Sequence, residues 1–264
     1  MTEDFQADER RRLGDPFAYD ESIEHVNTPL WREVLWPLDW MKLRFSKAYC
    51  GRGLPHGNGE PVLVIPGFLS NDIVMFEMHR WLLRIGYKPH ASRIPFNVDC
   101  PNETAKRLVA RIATLHDETG ERVRLIGHSL GGMLARSLAQ YAPEHTDRVI
   151  TLGSPFRDLV RAHPAVVGLW DHIKEAQGNL LGRNLKPSCA TGHCLCDFVK
   201  HMLDPEESSV PQFAVYSRKD GVAHWESCVT EDDAMNDEVN CTHVGMAFHP
   251  MVFEAVAHRL AETI

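Results

Sequence analysis

Residues 123–132 read Val-Arg-Leu-Ile-Gly-His-Ser-Leu-Gly-Gly, and this is the most informative pattern in the chain. The first four residues are typical of a buried strand, and an apolar helical pattern runs onward from Leu130. A strand that turns directly into a helix leaves no room for side chains at Gly127 and Gly131. We therefore predict a strand, a tight turn and a helix, with Ser129 exposed at the tip of the turn in a strained backbone conformation.

The same alternation of short apolar runs and helical patterns extends along most of the chain. Short links between strands and helices are typical of βαβ units, and nearly continuous apolar strands are typical of a sheet covered on both faces. The predicted fold class is α/β, with a mainly parallel central sheet and helices on both faces. Strands are expected at 61–65, 89–94, 123–126, 148–152 and 213–216, and helices at 71–85, 104–116, 130–141 and 250–260.

Two segments depart from this alternation. Between 154 and 211 no strong strand pattern is present, so we predict a cap or lid insertion at about 155–210, lying over the ends of the strands. The first 50 residues form a separate unit, a charged arm followed by an amphipathic helix, and the α/β domain occupies 51–264.

The helix of the N-terminal unit has apolar residues that recur at intervals of three and four, and Pro37 within it predicts a helix start or a kink. Two interpretations stay open. The helix packs on the core, or it is an interfacial helix at a lipid surface, where Trp beside Lys and Arg suits the headgroup boundary. The stripe consists of Trp31, Val34, Leu35, Leu38, Met41 and Phe45.

The composition excludes several classes of protein. The chain has 264 residues, 44% of them apolar and 24% charged, which is close to the average of soluble globular domains and argues against disorder. Its 28 Lys and Arg against 36 Asp and Glu give a net charge of −8, so nucleic-acid binding is not expected. Neither a secretory signal nor a run of about 18 apolar residues is evident, so we expect a cytoplasmic location with free thiols as the default.

Ser129 lies in a G-x-S-x-G pattern between a strand and a helix, which is the context of a catalytic serine. Such a serine needs a base and an orienting carboxylate, expected after later strands in the order Ser, Asp or Glu, His. Asp220 follows directly after the strand 213–216 and precedes a glycine, so it is the predicted acid. The rival carboxylates have no strand before them; they are Asp204, Asp232 and Asp233.

The base is expected in the loop before the last helix, which leaves two histidines. His243 lies in a loop of small residues that can approach Ser129, and it is favoured. His249 precedes Pro250, which suits the first turn of a helix, so His249 is interpreted as a boundary residue.

The oxyanion of an acyl-transfer reaction needs two backbone N–H donors. The N–H of Leu130, directly after the nucleophile, is one candidate. The N–H of Phe68, in the loop Pro-Gly-Phe-Leu that follows the first strand, is the other.

With these residues in place, the chain resembles the α/β-hydrolase superfamily, in particular serine hydrolases of the lipase and carboxylesterase kind, over about residues 60–262. The resemblance rests on the oxyanion loop, the nucleophile elbow and the acid and base loops; Pro66 stands where many lipases carry His. It implies cleavage of small-molecule or lipid esters through an acyl-enzyme, without metal or organic cofactor, and contact with lipid through the N-terminal helix or cap. An acyltransferase or amidase with the same triad, and a non-catalytic lipid-binding protein, remain alternatives.

The seven cysteines form two groups of interest. Cys189, Cys194 and Cys196 lie with His193 in a short segment of the cap, where a metal site, a local disulfide and free thiols all stay open. Cys228 and Cys241 flank the acidic loop between the acid and the base, and a bridge between them is a hypothesis.

Overall fold

A computed structural model of the chain describes residues 26, 28–157, 162–181, 196–203 and 208–263. The predicted arm, apart from Val26, therefore lies outside the described residues, as do Cys189, His193, Cys194 and Asp204. The strands are β1 Pro61–Ile65, β2 Lys88–Ala91, β3 Val123–His128, β4 Thr146–Leu152, β5 Gln212–Tyr216 and β6 Asn236–Glu238. The α-helices are α1 Trp36–Arg44, α2 Phe76–Arg84, α3 Pro101–Thr119, α4 Leu130–Tyr141, α5 Pro164–Leu181, α6 Asp197–Leu203 and α7 Pro250–Ala261.

The six strands form one sheet in the order β2-β1-β3-β4-β5-β6, and every neighbouring pair is parallel. The predicted parallel α/β architecture is confirmed. Strand β6 was not expected because Asn-Asp-Glu carries no apolar residue; at the edge of the sheet its side chains need not be buried. Strand β2 ends before the predicted Ile94, because the Asp72 carboxylate accepts the N–H groups of Ser92 and Arg93, at 3.0 and 2.9 Å.

The two faces of the sheet carry separate apolar cores, as the predicted pattern requires. On one face, side chains of β1 and β3 such as Leu63 and Leu125 lie in a cluster with α3, α4 and the short helix α6. On the other face, Val62 and Ile126 lie in a cluster with α1, α2 and α7, where the rings of Trp81 and Phe253 meet at 4.8 Å between centroids. Helices on both faces explain why the strand residues are apolar without alternation.

The N-terminal segment begins with a 3₁₀ helix, Leu30–Leu35, and continues directly as α1, with Pro37 in the first turn. The predicted helix start near Pro37 is confirmed, since proline is tolerated where no intrahelical N–H bond is lost.

The side of this segment that packs on the domain differs from the predicted apolar stripe. Leu43 is buried in the core and Trp40 packs against it, whereas Trp31 is 64% exposed and Phe45 is 87% exposed. Polar bonds hold the helix in this orientation: the indole Nε1–H of Trp40 donates to Glu77 of α2 at 2.9 Å. The helix therefore packs on the core, as one of the two interpretations from the sequence has it, but through Leu43 and Trp40 and not through the apolar stripe.

The chain between β4 and β5 contains α5 and α6, in the region predicted as the cap. Helix α6 contacts α4 and α3, so this part of the insertion is joined to the core on the face opposite α1. Within the described part of the chain, no helix is long and apolar enough to cross a membrane.

Candidate active site

The turn between β3 and α4 has the strained geometry predicted for it. Ser129 has φ 52° and ψ −123°, a conformation that L-residues rarely adopt. The turn is closed by backbone: a Cβ on Gly127 would overlap the carbonyl of Gly131, and a Cβ on Gly131 would overlap the carbonyl of Ile65 in β1. The two glycines are therefore required by close approach of the main chain.

The predicted acid and base meet directly. The Nδ1–H of His243 donates to Oδ2 of Asp220 at 2.7 Å, and both side chains are buried. The other carboxylate oxygen of Asp220 accepts the N–H groups of Val222 and Ala223, at 2.7 and 2.8 Å. These bonds fix the carboxylate in the plane in which it meets the imidazole, so the ring of His243 has one defined orientation.

The rival residues lie elsewhere. Asp232 accepts the N–H of Ala234 at 2.9 Å and so caps a 3₁₀ helix, and both Asp232 and Asp233 are exposed. His249 precedes α7, and its Nδ1 accepts the N–H of Met251 at 3.3 Å. His249 is thus the helix-boundary residue that its position before Pro250 predicts.

The protonation of His243 depends on its surroundings. Burial lowers the pKa of His243, but the charge of Asp220, the hydrogen bond to it and the charge of Glu33 outweigh burial and raise this pKa above its usual value. A neutral imidazole that receives a proton here is therefore stabilised in its charged form.

His128, the residue before Ser129, contacts His243 directly. Its Nε2–H donates to the backbone carbonyl of His243 at 3.0 Å, and the two ring centroids are 4.9 Å apart. Burial, with the charge of His243 as a smaller cause, lowers the pKa of His128 to about 3, so this ring is neutral near pH 7. The elbow that carries Ser129 therefore also touches the predicted base. The sequence left His128 as the variable position of the motif, because its partner lies 115 residues away.

The predicted oxyanion donors lie on either side of Ser129. Leu130 is the first residue of α4, where backbone N–H groups have no partner within the helix. A Cβ on Gly67 would lie 3.1 Å from Cβ of Ser129, so the loop that bears Phe68 passes beside the serine. Among the described residues, neither the Leu130 N–H nor the Phe68 N–H donates to another protein group.

Two contacts hold the loop that bears Phe68. The buried side chain of Asn97 donates its Nδ2–H to the carbonyl of Pro66 at 2.8 Å, and the backbone carbonyl of Asn97 accepts the N–H of Leu69 at 3.2 Å. The ring of Phe68 packs on Trp170 of α5, with centroids 4.4 Å apart. Helix α5, in the region predicted as the cap, therefore touches the loop beside the serine, a contact that the sequence pattern did not indicate.

Comparisons with known proteins show what the chain is similar to. A family model described as the PGAP1-like alpha/beta domain matches residues 102–188, a stretch that contains Ser129. A triacylglycerol lipase of Pseudarthrobacter phenanthrenivorans is 28% identical over 106 residues, which are 37% of this chain and 33% of that protein. The chain thus spans about a third of the length of the curated relatives it matches.

Solved structures extend the likeness to most of the chain. The mature lipase BlEst2 of Bacillus licheniformis is similar with a TM-score of 0.55 and 14% identity, over 79% of this chain and 94% of that one. Lipase B of Aspergillus fumigatus is similar with a TM-score of 0.59 and 15% identity, over 81% of this chain and 54% of that one. The chain has the α/β-hydrolase fold. The resemblance to this superfamily that the sequence predicted is confirmed.

In this α/β-hydrolase fold, a further carboxylate lies beside the acid and base loops. Glu33, in the 3₁₀ helix before α1, accepts the N–H groups of Gly221 and His243 on Oε1, at 2.9 and 3.1 Å. Its Oε2 accepts the N–H of Val244 at 2.8 Å. No sequence pattern indicates Glu33, because a glutamate among apolar helical positions is ordinarily a solvent-facing residue.

The cysteines near the site of this α/β-hydrolase fold are not bridged. Cys228 and Cys241 are buried free thiols, so the hypothesised bridge between them is absent. Burial raises the pKa of both thiols well above the usual value, which keeps them protonated. Within the ranges that the structure describes, no group of three or more His, Cys, Asp or Glu side chains is arranged to hold a metal ion.

Proposed function

We propose that this chain is a serine ester hydrolase of the lipase and esterase kind, with Ser129 as nucleophile, His243 as base and Asp220 as acid. The observation that carries the proposal is the 2.7 Å bond between His243 Nδ1 and Asp220 Oδ2, beside the strained turn that bears Ser129. Because Nδ1 donates to Asp220, Nε2 of His243 is the nitrogen that remains to accept a proton.

Acylation begins when the Oγ of Ser129 attacks the ester carbonyl carbon and its proton passes to Nε2 of His243. Negative charge develops on the carbonyl oxygen, where the N–H groups of Leu130 and Phe68 and the N-terminus of α4 stabilise it. When the carbon–oxygen bond of the ester breaks, the proton on His243 passes to the leaving alkoxide. The alcohol departs and the acyl group remains on Ser129.

Deacylation repeats these steps with water. His243 accepts a proton from the water that attacks the acyl carbonyl, and it returns this proton to Oγ of Ser129 when the acid leaves. Asp220 keeps its hydrogen bond to Nδ1 throughout and stabilises the imidazolium that forms in each half of the reaction. The two halves sum to one water consumed for one ester cleaved, with no metal or organic cofactor in the scheme.

The substrate class that we propose is a lipid ester. The curated relatives named triacylglycerol lipases support this assignment, as does the apolar contact between Phe68 and Trp170 beside the serine. The exposed apolar side of the N-terminal segment supports contact with a lipid surface, because a soluble domain ordinarily covers so many large side chains. That side comprises Trp31, Val34, Leu35, Leu38, Met41 and Phe45.

Labelling with a fluorophosphonate tests the chemistry. We expect one covalent adduct on the folded chain, located by mass spectrometry on Ser129 and absent from Ser129→Ala. The control is Ser208→Ala, which removes a hydroxyl outside the proposed site and is expected to leave labelling unchanged. A wild-type chain that is folded and remains unlabelled would contradict the proposal, and labelling with acyl transfer in preference to hydrolysis would favour an acyltransferase.

A second experiment tests the lipid surface. We expect Trp31→Ser/Phe45→Ser to reduce co-sedimentation with phosphatidylcholine vesicles and to leave hydrolysis of a soluble short-chain nitrophenyl ester nearly unchanged. The matched control, Leu83→Ser/Met251→Ser, removes exposed apolar side chains from α2 and α7. Equal loss of vesicle binding in both double variants would show that the N-terminal side has no special role.

A further inference from the structure

The proposed acid and base lie on two loops from different parts of the chain, and one carboxylate bonds to both. Glu33 accepts the N–H of Gly221, next to Asp220, and the N–H groups of His243 and Val244. We infer that Glu33 is a positioning residue, which holds the acid loop and the base loop together through their backbones. This inference rests on the proposed function, since it gives Glu33 a role in the work of His243.

The chemistry of the three bonds favours a carboxylate at this position. Three N–H donors converge on the two oxygens of Glu33, and only an ionised carboxylate can accept from all of them with full charge assistance. Glu33 is 7% exposed, and a buried carboxylate is costly unless it is well hydrogen-bonded. Within the part of the chain that the structure describes, no Lys or Arg forms an ion pair with Glu33. The backbone N–H groups therefore stabilise its charge.

The contact between Glu33 and the acid loop leaves little free space. A Cβ on Gly221 would lie 2.8 Å from Oε1 of Glu33, so the acid loop approaches the carboxylate closely. The ring of Trp36, at the start of α1, packs on Phe248 of the base loop with centroids 5.0 Å apart. The N-terminal segment is thus fixed to the base loop by an apolar contact as well, which keeps Glu33 in place.

His243 is consequently held at three points by distant residues, in addition to the local bond from the N–H of Met246 to its carbonyl at 3.2 Å. Glu33 accepts its backbone N–H, His128 donates to its backbone carbonyl, and Asp220 accepts from its imidazole. Asp220 sets the angle of the ring, whereas the two backbone bonds set the position of the whole residue. Removal of Glu33 therefore leaves the bond to Asp220 possible but lets the main chain of His243 shift.

The charge of Glu33 has a second effect, on the ionisation of the base. It contributes to raising the pKa of His243, together with Asp220 and against burial. Neutralisation of Glu33 lowers this pKa, because the imidazolium loses a nearby negative charge. The other titratable or charged groups that face this region are His128, Cys228, Cys241, His249, and Asp39 with its partner Lys42.

Three variants separate geometry from charge. Glu33→Gln keeps the size and removes the charge, so one N–H donor must face an amide N–H. Glu33→Asp keeps the charge and loses the reach of one methylene group. The control, Glu254→Gln, removes an equal charge from the exposed side of α7.

We expect kcat for a soluble nitrophenyl ester to fall roughly 10- to 100-fold in Glu33→Gln and Glu33→Asp, with little change in KM, because displacement of a catalytic group costs rate. The pKa of His243, followed by imidazole NMR, is expected to fall in Glu33→Gln and to stay near the wild-type value in Glu33→Asp. Circular dichroism establishes that each variant is folded before it is compared.

The outcomes distinguish this inference from the proposed function. If Glu33→Gln matches Glu254→Gln both in kcat and in the pKa of His243, Glu33 is not a positioning residue. If the wild-type chain is not labelled by a fluorophosphonate, the proposed hydrolase fails, while the NMR titration still decides whether Glu33 controls His243. A loss of kcat in Glu33→Gln with restored kcat in Glu33→Asp would assign the effect to charge alone and contradict the role in positioning.

Discussion

The turn that bears Ser129 and the loop that bears His243 position their side chains by different means. Ser129 is positioned by its own neighbours: a strand, two glycines and a helix within ten residues of sequence, packed against the carbonyl of Ile65. His243 has few local constraints. Its side chain and both backbone groups are bonded to residues 23, 115 and 210 positions away along the chain.

This difference has a consequence for sensitivity to change. Where local backbone geometry positions a group, a substitution acts through strain at that point. Where distant contacts position a group, each contact can be removed separately and the rest remain, so losses are partial and separable.

The largest effect is expected for Asp220→Asn. The amide keeps the size of the carboxylate but cannot hold His243 in the tautomer with a proton on Nδ1 as an anion does, so we expect kcat to fall by roughly 10³- to 10⁴-fold. The pKa of His243 is expected to fall as well, since Asp220 raises it. Ester hydrolysis across pH 5–9 measures the rate, and imidazole NMR measures the pKa.

The control for this change is Asp232→Asn, which retains an oxygen that can cap the 3₁₀ helix and lies outside the proposed site. It is expected to stay within about twofold of wild type. Comparable losses in both variants would show that the acid loop has no special part in the reaction.

A smaller effect, on stability, is expected for Gly131→Ala in the elbow. The new Cβ overlaps the carbonyl of Ile65, so β1 and α4 must move apart at a cost of about 3 kcal/mol, with loss of activity as Ser129 shifts. Urea unfolding followed by circular dichroism measures the free energy of unfolding. The same substitution at Gly168 in α5 meets no atom within 4 Å, and we expect no loss of stability there. Equal stability of the two variants would mean that the elbow tolerates a side chain.

The same contrast explains how much could be predicted from sequence. The strand, elbow and helix around Ser129, and the helix start at Pro37, were predictable because neighbouring residues decide them. The parallel sheet followed from the order of the apolar runs, whereas β6 did not, because a polar edge strand has no apolar pattern. Asp220 and His243 followed from their places after and before regular elements.

Glu33 could not be predicted, because its three partners lie 188 to 211 residues away and nothing in its own segment indicates them. The N-terminal segment stayed ambiguous for a related reason. Its apolar pattern fits both packing on the core and a lipid surface, and in the structure Trp31 and Phe45 are exposed while Glu33 is buried. Three backbone N–H groups of the α/β domain donate to the carboxylate of Glu33, and this polar contact sets the orientation of the N-terminal segment.

The smallest effect is expected at His128, which belongs to both regions: it lies in the elbow and bonds to the base loop. His128→Ala removes the hydrogen bond to the carbonyl of His243, and the loss of one such bond, about 1.4 kcal/mol, corresponds to roughly a tenfold fall in kcat. His128→Gln supplies an amide N–H and is expected to recover part of this loss. Steady-state hydrolysis of a soluble nitrophenyl ester measures both variants.

The pH profile of these variants distinguishes position from charge. The active form has neutral His243, so kcat/KM rises with pH through the pKa of this residue, which lies above the usual histidine value. The pKa of His128 is about 3, so His128 carries no charge between pH 5 and 9 and its removal leaves the midpoint of the rise where it is. Neutralisation of Glu33 moves that midpoint to lower pH. If the midpoint moved equally in His128→Ala, the contacts of His128 and Glu33 with His243 would act through the same electrostatic effect. The position of His243 would then not be set separately from its charge.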